Sequence, residues 1–214
     1  AVSILGDNIM VFLNHEKTKY ALMKSEDEYI LYDYVEDDLK TRSECGTPDI
    51  GQPYSANLLF NQQEGISVIN KCIKVQLEVE NDIVINQGGV LNTYQYLNVL
   101  FQQVKELYAQ DSINLVISEM LFWTSQPSPY SGLNAHTILE KFSDSKASFN
   151  GDLALFVSNQ MDAGYAYING LCHPTAKFRC GFASWTGMFQ IFPQYSWPVA
   201  VIAHELGHLL GARH

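Results

Sequence analysis

The hydrophobic pattern of this chain changes period several times. Over residues 1 to about 35, short alternating runs are separated by polar, turn-like residues such as Asn14, His15 and Glu16, and Tyr29-Ile30-Leu31-Tyr32 is rich in strand formers. That pattern predicts small antiparallel β-structure. From about Glu36 to Gly65 the sequence is polar, with Gly46, Pro48, Gly51 and Pro53, and reads as a linker. Cys72 to Glu80 then alternates cleanly. Ile73, Val75, Leu77 and Val79 share one face and Lys74, Gln76, Glu78 and Glu80 the other, which predicts a strand. Beyond Gly88 and Gly89 the period lengthens, and Val90, Tyr94, Leu97, Phe101, Val104 and Tyr108 predict a long amphipathic helix to about Ala109. Ile113 to Trp123 reads as a second strand. Ser131 is the expected cap of a helix that turns Ile138, Leu139 and Phe142 inward. Leu153 to Val157 and Gly164 to Ile168 predict two further strands. Ser196-Trp197-Pro198 precedes a final helix, with Pro near its first turn where a missing N–H does no harm. The order of elements predicts an α/β (α+β) fold: a twisted mixed sheet with flanking helices, a C-terminal helix and a small β-rich N-terminal segment.

Composition narrows the functional classes. The formal net charge over 214 residues is −10, which argues against non-specific affinity for nucleic acid or anionic membranes, since both need basic patches. Roughly −7 of it lies in about the first 65 residues, where the run Glu36, Asp37, Asp38 reads as a solvated loop. No apolar stretch approaches the ~20 residues that span a bilayer. The opening AVSILGDNIMVFL is not built like a signal peptide, and Ala1 reads as a cut end. Four cysteines, Cys45, Cys72, Cys172 and Cys180, permit two disulfides. Cys172 and Cys180, close together in a loop-like segment, are the expected pair. Disulfides would imply an oxidising compartment.

The last eleven residues carry the chemistry: His204-Glu205-Leu206-Gly207-His208-Leu209-Leu210-Gly211-Ala212-Arg213-His214. Residues i and i+4 stack on one helix face, so His204 and His208 present their rings side by side, at a spacing that lets two nitrogens reach one zinc. Glu205 stands beside the first ligand as the general base for a metal-activated water. A continuing helix would carry His214 away. Gly211 can turn the chain at positive φ and bring His214 round as a third ligand. Three neutral imidazoles leave Zn²⁺ its charge and an open position, the arrangement of a catalytic site. His15, His136 and His173 show no ligand spacing.

These residues match the extended zinc signature of the metzincins. Upstream, Leu121-Phe122-Trp123-Thr124, Leu139-Glu140-Lys141-Phe142, Asp152-Leu153-Ala154-Leu155-Phe156 and Gly164-Tyr165-Ala166-Tyr167-Ile168-Asn169-Gly170-Leu171-Cys172 follow in an order that resembles the adamalysin (reprolysin) branch, which includes the ADAM and snake-venom metalloproteases. The resemblance covers roughly residues 72 to 214. It implies a secreted or cell-surface zinc endopeptidase acting on protein or peptide substrates. It also implies a twisted five-stranded sheet with the zinc helix at its foot and a substrate lying along an edge strand. By position, that edge is Gly164, Tyr165, Ala166, Tyr167 and Ile168, where a peptide adds through main-chain hydrogen bonds. Residues 66–214 then form the upper subdomain of the catalytic domain, ending after the zinc motif. Such a fragment is expected to bind zinc weakly and to be inactive on its own.

Cys45-Gly46-Thr47-Pro48-Asp49 resembles the cysteine-switch motif of matrixin propeptides, with Glu44 where that motif carries Arg. In that motif a thiolate fills the metal's open position and silences the zymogen. The resemblance implies that residues 1–65 are the tail of an inhibitory prodomain plus linker, acting in cis. A Cys45–Cys72 disulfide is the competing reading. Two other functions stay open at this point: a non-catalytic adhesion or binding module on a metalloprotease fold, and a matrixin-type protease.

Overall fold

The computed structural model describes residues 2–5, 8–15, 18–25, 28–34, 44–48, 72–186 and 196–214. The remaining expectations for the linker, including the Glu36-Asp37-Asp38 run, lie outside the described residues. The N-terminal segment forms an antiparallel sheet of β1 (Val2–Leu5), β2 (Asn8–His15), β3 (Thr18–Ser25) and β4 (Glu28–Tyr34), paired in sequence order. Pairs such as Val11 with Leu22 and Leu22 with Leu31 set its register.

The second sheet organises the rest. It contains β5 (Glu44–Cys45), β6 (Ile73–Val79), β7 (Leu115–Phe122), β8 (Leu153–Ser158), β9 (Ala163–Ala166) and β10 (Cys180–Ser184), in the order β5-β9-β10-β8-β6-β7. The ladders β7–β6–β8–β10 are parallel, and β9 runs antiparallel to β10. Parallel neighbours need crossover connections, which the helices supply: α1 (Asn81–Asn86), α2 (Val90–Ala109) and α3 (Ala135–Asp144). The last helix, α4 (Ser196–Leu209), follows the sheet. Five strands are those expected from the resemblance. The two-residue β5 is added to them from far upstream.

Two cores cover the two faces. On one, Val75, Leu77, Val79, Leu155 and Val157 pack against α2 and α4 through Leu97, Phe101, Val104, Ile202 and Leu206. On the other, Phe156 and Phe182 pack against Ile138, Leu139 and Phe142 of α3. Because both faces are covered, all six residues of β8 are buried. The polar side of β6 is buried too: Gln76 is 4%, Glu78 5% and the following Glu80 1% exposed. Each has a partner. Gln76 Nε2 donates to Glu119 at 2.6 Å, and Trp123 Nε1 donates to Glu78 at 2.8 Å.

Two expectations are corrected. The cap of α3 is Asn134, whose side-chain oxygen accepts from Thr137 N at 3.0 Å, and the helix starts at Ala135, so Ser131 lies in the turn before it. The Gly164–Ile168 strand is shorter, ending at Ala166, because Tyr167 begins the turn that leads under the last helix. Among the described residues, no helix is long and apolar enough to cross a membrane.

Candidate metal centre and edge strand

α4 is buried along most of its length, with Val199, Val201, Ile202, Leu206 and Leu209 in the core. It ends as the glycine predicts. Gly211 has φ of +105°, Gly211 N donates to His208 O at 2.9 Å, and Ala212 N donates to Gly207 O at 2.8 Å. This is a Schellman closure, which satisfies two terminal carbonyls while reversing the chain. The reversal has two chemical results. His214 returns beside His204, and the Ala212 carbonyl meets His208 Nδ1 at 3.0 Å. The second contact leaves Nδ1 as the protonated nitrogen and frees Nε2 as a ligand. The turn Asn169–Leu171 caps the helix from outside, with Asn169 N donating to His208 O at 2.8 Å and Leu171 N to Leu209 O at 2.9 Å.

The three Nε2 atoms converge. His204 and His208 stand 3.0 Å apart, and His204 and His214 3.3 Å. Around a tetrahedral Zn²⁺ with bonds of about 2.0–2.1 Å, neighbouring nitrogens would lie about 3.3 Å apart. The spacing and the donor set therefore fit zinc. Cys45 supplies a fourth atom, its Sγ lying 3.3 Å from His208 Nε2. One ligand atom from each of Cys45, His204, His208 and His214 falls within 4.8 Å of the others. Burial pushes the Cys45 thiol up, but hydrogen bonds from His204, His208 and Thr47 outweigh it and hold the sulfur well below the ordinary thiol range.

Glu205 is 1% exposed, and its Oε2 has no hydrogen-bond partner among the described residues. Burial, and after it the Cys45 sulfur, push this carboxyl well above the usual carboxylate range. The edge strand makes room for it: a Cβ on Gly164 would lie 2.0 Å from Glu205 Oε1.

A model of reprolysin type, described as metallo-peptidase family M12, matches residues 70–214. The chain belongs to metallopeptidase family M12. The matrixin alternative is thereby set aside. A curated human relative, "A disintegrin and metalloproteinase with thrombospondin motifs 3", is 28% identical over 205 residues, covering 86% of this M12 chain but only 16% of its own length. Among solved structures, metalloproteinase-II from Bacteroides fragilis matches at 14% identity with a TM-score of 0.49, over 98% of this chain and 70% of that one.

In this M12 chain the sheet's outer edge is already taken. β5 pairs in parallel with β9, Glu44 opposite Ala163 and Cys45 opposite Gly164. Gly46 N donates to Gly164 O at 3.1 Å. Thr47 Oγ1 accepts from Ala166 N at 3.0 Å and reaches Ala166 O at 3.4 Å. A cleft of about 510 Å³ continues beside this segment, between Thr47, Pro48, Tyr165, Tyr167, His136 and Leu139.

The cysteine expectations need correcting. All four are free thiols. Cys180 opens β10 with its side chain buried, directed at Ala176 O at 3.5 Å, whereas Cys172 sits exposed in a turn at φ +64°. Nearness in sequence did not pair them: the Cys180 thiol lies in the core and Cys172 at the surface. Cys45 faces the histidines, so the Cys45–Cys72 pairing is not formed either. Sequence reasoning missed Thr47 and the fit of Gly164 to Glu205. It named Tyr108 only as part of an apolar face, yet the Tyr108 hydroxyl donates to Ala203 O of the metal helix at 2.6 Å. Spacing along one chain carries no signal for contacts between distant elements.

Proposed function

We propose that the protein is a zinc-dependent endopeptidase kept latent by its own Cys45. The observation that carries this reading is the meeting of three imidazoles and one thiol within 4.8 Å at the end of a buried helix. His204, His208 and His214 would hold the metal. Zn²⁺ bound by three neutral rings supplies a Lewis acid that polarises a peptide carbonyl and lowers the pKa of a water in its open position. The remaining work falls to the chain itself. Glu205 takes the water's proton, and among the described residues no donor is bonded to its buried Oε2. Gly164, Tyr165 and Ala166 hold a peptide substrate alongside β9 by main-chain hydrogen bonds, with Tyr167 and Ile168 in the turn beyond it.

Cys45 opposes both functions at once in this reading. Its sulfur takes the fourth position, and the chain around it fills the strand-addition site. Residues 1–65 would then act as an inhibitory prosegment and linker, and residues 66–214 as the upper part of the catalytic domain. The Cys172–Cys180 and Cys45–Cys72 bridges have no part in it. The reading puts the enzyme outside the cell or at its surface, supported by the family resemblance and not by the cysteines.

The test is zinc content and peptide hydrolysis in the full-length protein, as wild type, Cys45→Ala and Glu205→Ala. One zinc per chain is expected in the wild type. Cys45→Ala should hydrolyse faster than the wild type, and adding Glu205→Ala should cost a factor of about 10²–10⁴. Hydrolysis that survives loss of Glu205 removes the base. Unchanged latency without Cys45 removes the latch. A metal-free protein removes both.

A further inference from the structure

Glycine at position 46 is not demanded by its backbone. Gly88, Gly89, Gly132 and Gly211 are the described glycines with φ in the left-handed region, and Gly46 is not among them. What excludes a side chain is a neighbour. A Cβ on Gly46 would fall 1.6 Å from Cε2 of Tyr165, 2.1 Å from its Cζ and 2.5 Å from its hydroxyl oxygen. Successive residues of an extended strand face opposite ways. So while Cys45 turns towards the histidines, its successor lays bare backbone against an aromatic ring on the other side of the sheet.

That ring borders the cleft and touches an exposed neighbour on one side and the core on the other. It meets His136 edge-on, with centroids 5.6 Å apart and planes at 80°, and His136 Nδ1 lies 3.4 Å from a Glu140 carboxylate oxygen. Phe182 stands opposite Tyr165 across the β9–β10 ladder, and both belong to the core under α3. The next residue is read differently. Thr47 is 4% exposed, and its hydroxyl spans the N–H and C=O of Ala166. A residue without a hydroxyl there would leave the Ala166 N–H buried and unpaired.

We propose that Tyr165 and Ala166 form a recognition site for one kind of partner. That partner is an extended chain, parallel to β9, with glycine directly after the residue that faces the histidines and a hydroxyl-bearing residue directly after the glycine. Residues 45–47 of this protein are its resident occupant. Tyr165 reads the missing side chain, and the Ala166 backbone reads the hydroxyl. A peptide carrying a side chain at the glycine position must displace the ring or take another register. Side chains of the edge strand thus separate the prosegment from other extended chains. The inference rests on Cys45 as the resident of the metal site, and it adds the residues that select the segment bearing it.

The experiment uses the zinc-loaded full chain in a Cys72→Ser, Cys172→Ser background, as wild type, Gly46→Ala, Tyr165→Ala and the double variant. Two quantities are read: the rate of Cys45 alkylation by iodoacetamide, and amide hydrogen exchange over Ala163–Ala166. Gly46→Ala should speed alkylation about tenfold or more, the size expected for an overpacking clash, and deprotect the β9 amides. Removing the ring in the double variant should return both to within about threefold of the wild type. Wild-type behaviour of Gly46→Ala overturns the proposal, as does a double variant no better protected than Gly46→Ala. Zinc-stripped samples keep the two readings apart. The β9 exchange pattern reports the ring-to-glycine fit without metal, whereas a wild-type Cys45 that alkylates equally with and without zinc refutes only its place at the metal.

Discussion

Two clusters of chemically capable residues stand out in this fold, one buried and one reaching from buried His208 and Glu205 to exposed His204 and His214, and their hydrogen bonding separates them. At the end of β6, every carboxylate oxygen has a donor. Glu78 accepts from Trp123 Nε1 and Lys146 Nζ. Glu80 accepts from the backbone of Asn81 and Ser128 and from the Ser128 hydroxyl. Asp82 accepts from Ile83 N, Asn159 N and the Ser158 hydroxyl. At the end of α4 the polar atoms face one another instead. Three ring nitrogens and one sulfur crowd together, and Glu205 keeps a buried oxygen without a partner. A satisfied buried cluster ties elements together. A buried oxygen without a partner among the described residues, as Glu205 Oε2 is, costs stability unless chemistry uses it.

The comparison breaks most sharply if the two clusters exchange behaviour on mutation. Glu205→Gln, made in the Cys45→Ala form, should lower peptide hydrolysis by about 10²–10⁴ while the melting temperature stays level or rises, because a buried carboxyl that burial already holds towards its neutral form is replaced by a neutral amide of the same shape. Rate assays and thermal denaturation check this together. Lys146→Ala should do the reverse. It leaves Glu78 buried with the Trp123 donor alone, and should cost about 3 kcal/mol in chemical denaturation with hydrolysis per folded molecule unchanged. A stability loss at Glu205, or a rate loss at Lys146, would erase the distinction.

Much of this division was legible in the sequence, though unevenly. The long period of α2 and the motif of α4 were clear because one-sided burial writes a helical repeat into the apolar positions. Gly211 announced the turn that returns His214. β6 was legible as a strand, but alternation alone did not reveal that Glu78 and Glu80 are buried; their partners Trp123, Lys146 and Ser128 lie 45 to 68 residues away. β10 was missed since Cys180-Gly181-Phe182-Ala183-Ser184, buried on both faces, has no alternation to detect. The short α1 offered fewer than two turns of pattern. The Cys45 motif by itself could not tell whether this thiol meets Cys72 or the histidines; the fold sets its Sγ 3.3 Å from His208 Nε2.

A smaller effect tests the burial of Cys180, which packs in the same core as α3 and near the carboxylate cluster. Burial pushes its thiol up to about 12, opposed by Lys146 and Arg179. The folded protein therefore holds the proton more tightly than the unfolded chain. Stability from this group is fully present below the ordinary thiol range near pH 9 and is lost as pH rises towards 12. The loss should run at about 1.4 kcal/mol per pH unit across that window, and Cys180→Ala should remove this slope from denaturation curves. At neutral pH, iodoacetamide should modify Cys72 and Cys172, which are exposed, and spare Cys180.

The smallest change sharpens the comparison, because it is structural in form yet lies one residue from the histidine cluster. The Tyr108 hydroxyl donates to Ala203 O at 2.6 Å, one residue before His204, and a Cβ on Gly207 would make only an ordinary contact with that hydroxyl, at 3.4 Å. The hydroxyl thus ties α2 to α4 one residue before the first of the three histidines. Burial, followed by Asp111 and Glu205, pushes the Tyr108 hydroxyl upward, so it remains a donor at working pH. Tyr108→Phe keeps the ring and removes one hydrogen bond, which should cost about 1 kcal/mol of stability. If the contact only joined two helices, zinc affinity would follow stability and be unmoved in the folded protein. As a positioning contact for His204 it should weaken zinc binding severalfold, short of the roughly 10–100-fold typical when a partner hydrogen-bonded directly to a ligand is lost. Competition with a chromophoric chelator, well below the melting temperature, measures this directly. An unchanged affinity would assign Tyr108 to the satisfied, structural class represented by the β6 carboxylates.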